Sequence, residues 1–255
     1  MTRAARSAGW LAAPALGCAT FLGVFAAVEG LIRAGVINRF VVPLPSQVLA
    51  AVPRIVAEES IPHRFWQTTQ EALWASVLLI VVGIALGMLM FRFRLLRSAC
   101  ETWVAALASA PIVLMYPLFL VIFGRSATTI VMIGFVAGLP PVILKTVEGL
   151  AGTRTVLLDV GRSFRLDDAQ LFRKILLPAA LPSIFVGLRV GLIFMLINIV
   201  GVEFLINFGG LGQLINELAE RYDLPGTYGA IGFVILVSVL FFVVCERAER
   251  WLLPS

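Results

Sequence analysis

The chain has 255 residues, of which 60% are hydrophobic and 14% are charged, and its formal net charge is +5. Soluble domains are typically about 45–50% apolar and about 25% charged, so this composition excludes an ordinary soluble domain and favours lipid as the solvent. The basic residues cluster at the ends of apolar runs, which indicates membrane topology and argues against nucleic-acid binding.

Long apolar segments rich in Leu, Ile, Val, Ala, Phe and Gly follow one another along the chain. Because backbone polar groups in lipid must be satisfied internally, such runs predict helices, whereas a barrel would show short alternating segments. A helix needs about 20 residues to cross a bilayer, so we predict an all-α polytopic membrane fold with about six transmembrane helices in one domain, residues 1–255. The predicted spans are 11–33, 69–91, 101–123, 127–147, 183–206 and 227–246.

Arginine and lysine concentrate on one side of these spans. Arg92, Arg94 and Arg97 lie in the predicted 2–3 loop, and further basic residues lie at the N-terminus, in the 4–5 loop and at the C-terminus. The positive-inside rule therefore predicts that both termini are cytoplasmic. Arg3 and Arg6 precede the first span as in a signal peptide, but the apolar run is too long for one, so a retained helix is predicted.

Two segments on the opposite side are longer than tight turns. Residues 38–66 contain an amphipathic stretch, Val48–Val56. This stretch predicts either a helix that lies on the external face of the membrane or ordinary loop packing. Residues 207–226 begin with the run Gly209-Gly210-Leu211-Gly212, which allows close backbone approach or unusual dihedral angles, and a short helix can follow it.

Polar residues within spans are costly in lipid and usually face protein or a water-filled path. Pro111 and Pro117 are predicted to kink the third span and free backbone carbonyls. Arg125 lies at the outer end of that span. It is expected either to attract an anion or to serve only as an anchor at the surface of the membrane. The alternatives to a pathway role are an interhelical hydrogen bond for Asn198 and a surface ion pair with an arginine for Glu203. Because an anionic solute would not favour a carboxylate ligand, a gate or structural contact is expected of Glu203 rather than direct ligation. The predicted translocation-pathway residues are Ser109, Met115, Tyr116, Asn198 and Glu203.

The 4–5 loop, residues 148–180, is too long for a tight turn and too rich in helix formers for a flexible linker. Thr153–Phe164 is predicted to form one short helix. Asp167 is the predicted N-cap of a second helix, Asp168–Leu176, which Pro178 is expected to end. Apolar and charged faces on this helix pair suit docking to a soluble partner, the alternative being a loop that packs only beneath its own helices.

The sequence gives little support to catalytic or metal chemistry. His63 is the single histidine, and Cys18, Cys100 and Cys245 are far apart without a CxxC motif. An intramembrane enzyme needs a nucleophile–base pair or a metal constellation, so no catalytic residue and no metal site is predicted.

Two runs in the 4–5 loop carry the most specific pattern in the chain. Residues 159–164, Asp-Val-Gly-Arg-Ser-Phe, and residues 171–178, Leu-Phe-Arg-Lys-Ile-Leu-Leu-Pro, resemble the EAA loop of binding-protein-dependent ABC transporter permeases. Asp159 stands for the family's Glu. Arg165 stands where the family has Gly, which is expected to move the turn to Leu166-Asp167. The resemblance implies that the ATPase-coupling residues are Asp159, Val160, Gly161, Arg162, Arg165, Leu171, Phe172 and Pro178.

The resemblance also implies roles and extends along most of the chain. Asp159 would contact a basic ATPase residue, and Leu171 and Phe172 would supply apolar contact or support. The segments Pro43–Val48 and Val202–Phe204 are similar to the external Pro-x-Pro-Ser segment and the fifth span of the family. Within the family, the chain resembles the permeases of the nitrate, sulfonate, taurine and bicarbonate importer branch.

A permease of this family is expected to have the type I ABC importer fold, with residues 148–180 as its cytoplasmic coupling loop. Two permease chains, expected to form a homodimer, would make the pathway for a small anion in the bacterial inner membrane. Two ATP-binding cassette ATPase subunits would bind ATP and Mg, and a periplasmic or lipid-anchored solute-binding protein would deliver solute. The chain's only lysines, Lys145 and Lys174, lie outside any GxxxxGK[ST] motif, so this subunit is not predicted to be an enzyme.

The main alternative is an ATP-independent secondary transporter or channel. Such a protein would be expected to show an inverted repeat or a strong intramembrane ion site, and neither is convincing in this sequence. The cytoplasmic EAA-like loop favours the ATP-driven permease.

Overall fold

The structure, a computed structural model, describes the backbone of residues 4–252 and the side chains of residues 16–251, so Arg3 lies outside the described residues. Within this range all regular secondary structure is helical. The helices are α1 Ala4–Arg33, α2 Pro45–Glu58, α3 Ile61–Arg92, α4 Arg94–Ser109, α5 Tyr116–Phe123, α6 Ala127–Ala151, α7 Thr155–Ser163, α8 Asp168–Ile206, α9 Gly210–Glu220 and α10 Leu224–Leu252.

Five helices of the described chain are long and apolar enough to cross a membrane, namely α1, α3, α6, α8 and α10. A sixth candidate is the pair formed by α4 and the segment Ile112–Phe123, which are bent by 93° at a short break. If the bent pair counts as one span, the total is six. The prediction of an all-α, multi-span membrane fold is therefore confirmed.

The bend in the third predicted span lies at Pro111, as its ring and missing N–H lead one to expect. Ala110, which precedes the proline, has φ −77° and ψ 135°, because a residue before proline is driven out of the helical region. Pro117 lies in the first turn of α5, where proline is tolerated, so it does not add a second kink.

The described chain divides into two compact units. One comprises the part up to Ile61 together with Glu217–Phe233, and the other comprises Pro62–Asn216 together with the part from Val234. In the second unit, α6 and α8 cross closely at two glycines. A Cβ on Gly138 would lie 2.6 Å from the carbonyl oxygen of Gly191, so only glycine permits this approach.

In the first unit, α2 confirms the predicted helix within residues 38–66. Its Ala51 and Ile55 are buried, and a Cβ on Gly229 would lie 2.9 Å from Cδ1 of Ile55. Ion pairs also hold it, since Arg54 pairs with Asp223 and Arg221 approaches Glu59 at 2.8 Å.

Candidate functional site

Helix α7 of the 4–5 loop ends in a Schellman motif. The N–H of Leu166 donates to the carbonyl of Gly161 at 3.1 Å, and that of Arg165 donates to Arg162 at 2.8 Å. This pair of bonds puts the residue after the cap into the left-handed region, and Arg165 has φ +53°. The turn therefore falls at Arg165 and not at Leu166-Asp167, which explains physically why glycine suits this position.

The next helix begins with the predicted cap. The N–H of Gln170 donates to Oδ1 of Asp167 at 2.7 Å, and the N–H of Asp167 donates to Oε1 of Gln170 at 3.3 Å. This reciprocal capping box confirms Asp167 as the N-cap.

The expectation that Pro178 ends this helix is wrong. The chain passes from Asp168–Leu171 through a π-helical turn, Phe172–Leu176, directly into the long helix that carries the fifth span. Proline has no N–H and clashes with the carbonyl four residues earlier, but the wide turn before it and its place in the first turn of the next segment accommodate it. The loop and the span are therefore one continuous helix, α8.

Gly161 is the contact point between α7 and α8. A Cβ at this position would lie 2.5 Å from Cδ1 of Leu171 and 2.6 Å from Cδ1 of Ile175. Phe172 packs against the buried cluster that contains Leu150 and Ile184. Of the two roles expected for Leu171 and Phe172, the structure supports internal support of the loop over contact with a partner.

A different set of apolar side chains, on α7 and its C-cap, is exposed. Val156 and Val160 of α7 and Phe164, its C-cap, are 67%, 46% and 77% exposed, and their spacing of four residues places them on one side, turn by turn. We call these three residues the docking stripe. Beside it, Arg162 and Asp159 form an exposed ion pair at 3.3 Å. Sequence reasoning found Val160 only, although the repeat of apolar residues every four positions was a readable signal.

The predicted pathway residues fall into separate environments. Ser109 and Met115 are exposed on either side of the break at Pro111. Tyr116 is half-buried against the cluster that contains Met195 and Ile199 of α8, so the break and the fifth span meet. A pathway role for these three residues stays a prediction.

Asn198 also lies on α8, where its side-chain amide is turned back to its own helix. Nδ2 donates to the carbonyl of Phe194 at 2.8 Å. This contact is intrahelical, unlike the interhelical bond considered from sequence, and the pathway role of Asn198 stays a prediction.

Glu203 is fully buried in a network that holds the start of α9. Thr68 Oγ1 donates to Glu203 Oε1 at 2.6 Å, and the N–H of Gly212 donates to Oε2 at 2.7 Å. The N–H of Leu211 donates in turn to Thr68 Oγ1 at 2.9 Å. Glu71 is hydrogen-bonded to Glu203 as well. This geometry favours the structural contact among the roles considered for Glu203, and sequence reasoning missed Thr68 and Glu71.

Arg125 fastens the turn between α8 and α9. Its Nε donates to the carbonyl of Ile206 at 2.9 Å, and its Nη2 donates to that of Asn207. The N–H of Gly210 donates to Gln67 Oε1 at 3.1 Å. Of the two roles considered for Arg125, the structure supports the anchor, because the guanidinium is engaged by the end of a helix.

Comparison with known proteins places most of the chain in one family. Residues 79–255 match the family described as "Binding-protein-dependent transport system inner membrane component". The chain belongs to this family. It is thus the permease subunit of an ABC importer, in which a separate ATPase drives transport.

Relatives of this permease cover most of its length. A probable ABC transporter permease protein of Brucella melitensis biotype 1 is 25% identical over 210 residues, which are 82% of this chain and 85% of the relative. The formylaminopyrimidine transport permease protein ThiX of Halalkalibacterium halodurans is 27% identical over 212 residues, 83% of this chain and 85% of that protein.

A solved structure shows the same fold. It is the inward-facing MetNI methionine ABC transporter, which matches the permease with a TM-score of 0.64 and 20% identity. The match covers 74% of this chain and 94% of the solved chain. The type I importer fold expected from the sequence is therefore confirmed.

Proposed function

We propose that α7 receives the ATPase of the importer and transmits its movement to the fifth span. The observation that supports this is the docking stripe, an exposed apolar face on a short helix that is itself packed against α8 through Gly161. Because α8 runs without interruption from Asp168 to Ile206, a displacement of α7 reaches the fifth span through one rigid element. Such coupling requires different contacts in two states, as nucleotide-driven closure of the ATPases would provide.

The complete transporter in this proposal contains a second copy of the permease, two ATPase subunits that bind ATP and Mg, and a solute-binding protein. Both termini and the loop with α7 face the cytoplasm, as the arginine distribution indicates. Ser109, Met115, Tyr116 and Asn198 would line the pathway with their counterparts in the second copy.

The proposed solute is a small anion such as a sulfonate, taurine, nitrate or bicarbonate, on the resemblance to that importer branch. Two relatives are named for other solutes, riboflavin in Chloroflexus aurantiacus and glycine betaine or proline betaine in Escherichia coli. Uptake assays of the reconstituted complex should therefore compare anions with these zwitterionic and aromatic solutes.

The docking stripe gives the sharpest test. Val160→Asp and Phe164→Asp should abolish ATPase co-purification and ATP-driven uptake, because a charge on an apolar contact leaves an unpaired group in the interface. Asp159→Arg, which reverses the exposed charge, should weaken assembly less. Membrane insertion and thermal unfolding of the chain should be unchanged.

Ala169→Asp is the matched control, since it adds the same charge to an exposed position in the first turn of α8. It should retain both assembly and uptake. Normal ATPase binding and uptake in the two stripe variants would refute the docking role of α7.

A further inference from the structure

A cavity of about 640 Å³ opens where α3 ends and α4 begins. It is lined by Phe91, Arg92, Arg94, Arg97, Ser98 and Glu101. The three arginines belong to the basic side of the spans, and the proposed coupling through α7 involves none of them.

The cavity carries a surplus of positive charge. Arg97 Nε donates to Glu101 Oε2 at 2.9 Å, so this pair is largely neutralised. Arg92 and Arg94 have no hydrogen bond or ion pair with the residues that the structure describes. The neighbouring cavity adds Glu148, whose carboxylate is already paired with Lys145 at 2.6 Å. Two arginine side chains are therefore available to a ligand.

The backbone adds donors of the same kind. Helix α4 begins at Arg94, and the first amides of a helix have no partner within it, so their N–H groups and the helix dipole favour an anion there. Ser98 supplies a hydroxyl one turn later. Planar guanidinium groups beside free N–H groups form the donor arrangement that suits phosphate oxygens.

The cavity lies at the end of a candidate membrane span, where lipid headgroups are expected to begin. The apolar span of α3, Ile61–Arg92, ends at the first of the two unpaired arginines. Phe93 and Leu95, the neighbours of Arg94 in the chain, are 55% and 86% exposed, which offers an apolar surface to acyl chains. Basic pockets at the ends of spans bind acidic lipid headgroups by this combination of charge and apolar contact.

We propose that this cavity binds a phosphate-bearing anion, supplied either by the headgroup of an acidic phospholipid or by soluble phosphate, through Arg92, Arg94 and the first turn of α4. The site is distinct from the docking stripe and does not depend on the proposed function.

The test uses the full-length permease in nanodiscs and compares spin-labelled phosphatidylglycerol with spin-labelled phosphatidylcholine. The wild type should immobilise the acidic lipid preferentially, and the double variant Arg92→Gln with Arg94→Gln should reduce this preference to parity. Arg92→Lys with Arg94→Lys, which keeps the charge, should retain part of it. A thermal unfolding scan checks that each variant is folded.

The matched control is Arg247→Gln with Arg250→Gln, which removes the same charge at the end of α10 and should leave the lipid preference intact. A second arm titrates inorganic phosphate into zwitterionic nanodiscs at constant ionic strength. Saturable phosphate binding that the Arg92 and Arg94 variant loses, without any lipid preference, would assign the site to the soluble anion.

Three results would overturn the proposal. The first is an unchanged lipid preference together with no saturable phosphate binding that depends on Arg92 and Arg94. The second is an equal loss in the Arg247 and Arg250 control, which would show a general charge effect. The third is a loss of ATPase association in the Arg92 and Arg94 variant with anion binding unchanged, which would assign the cavity to a protein partner.

Discussion

Gly161 of α7 and Arg165, which follows the cap of this helix, show how a short loop can hold a defined shape. Gly161 lets Leu171 and Ile175 approach the backbone of α7, and Arg165 closes the Schellman motif at φ +53°. A residue with a Cβ carries a cost of about 1–2 kcal/mol in the left-handed region. Arg165 therefore stores strain at the point where the helix direction reverses.

Arg165→Gly should relieve this strain. The gain is reduced by the larger unfolded-state entropy of glycine, so we expect the free energy of unfolding to rise by about 0.5–1 kcal/mol. Denaturant unfolding of the purified permease measures the change. Arg162→Gly, in the last turn of α7, should instead lower it by up to about 1 kcal/mol, because glycine is a poor helix former. A loss of stability in Arg165→Gly would show that the arginine side chain itself stabilises the loop.

At the scale of elements, the turn between α8 and α9 is fixed by side chains from other helices. Glu203 accepts hydrogen bonds from Thr68 and from the N–H of Gly212, and Arg125 donates to the carbonyl of Ile206. Acceptors at a helix N-terminus and donors at a helix C-terminus satisfy the backbone groups that helix ends leave open. These contacts therefore fix the geometry of the turn between α8 and α9.

Glu203→Leu should disrupt this turn, because it leaves the hydroxyl of Thr68 and the N–H of Gly212 buried without their acceptor. Each lost acceptor costs about 1–3 kcal/mol, so the melting temperature should fall clearly. Glu203→Gln keeps the shape and one acceptor oxygen and should be less damaging.

Asn198→Leu is the comparison on the same helix. Among the described residues its amide bonds only the carbonyl of Phe194, so its removal should change stability by no more than about 0.5 kcal/mol. If Asn198→Leu lowers solute uptake at unchanged stability, the pathway role is supported. A fall in stability as large as that of Glu203→Leu would contradict the structural distinction between the two residues.

Across the whole molecule, burial is uneven among the spans. Half of the α6 window is buried, against 6% for α1 and 11% for α10. In lipid, exposed apolar faces need no cover, so α1 and α10 are suited to lipid or to a second permease chain. Near their ends, such helices are held by ion pairs and hydrogen bonds. The pair between Arg54 of α2 and Asp223, which precedes α10, is an example.

The Arg54–Asp223 pair makes stability depend on pH. Burial alone would raise the pKa of Asp223, but hydrogen bonds from Arg54 and from the N–H of Gly226, with the nearby positive charges, bring this pKa below its ordinary value. A carboxylate with a lowered pKa stabilises the fold above its unfolded pKa, and this contribution is lost as the pH falls through the folded pKa.

Asp223→Asn should therefore lower the melting temperature at pH 7 and flatten its decline below about pH 4, where unperturbed aspartates titrate. Arg54→Gln should produce the same flattening, and the double variant should add little, since both changes remove one interaction. Melting curves from pH 7 to about pH 3 measure the effect. If the melting temperature of both variants falls at acidic pH as much as that of the wild type, other carboxylates cause the fall.

Local chemistry determined much of the fold and part of the candidate site. Long apolar runs predicted the spans, and Asp167 predicted a helix start that the structure confirms. Pro111 predicted the bend, because its effect depends on its own ring and the residue before it. Such features need only neighbours in sequence, so they can be read without knowledge of the fold.

Only the tertiary structure decided which residues that are far apart in sequence contact one another. Thr68 and Glu203 are 135 positions apart, and no local pattern links a hydroxyl in one span to a carboxylate in another. Leu171 faces Gly161 and leaves the exposed face to the docking stripe, a choice made by the contact between two helices. The π-helical turn before Pro178 likewise lets α8 continue, because its wider geometry accommodates a proline that sequence rules read as a stop.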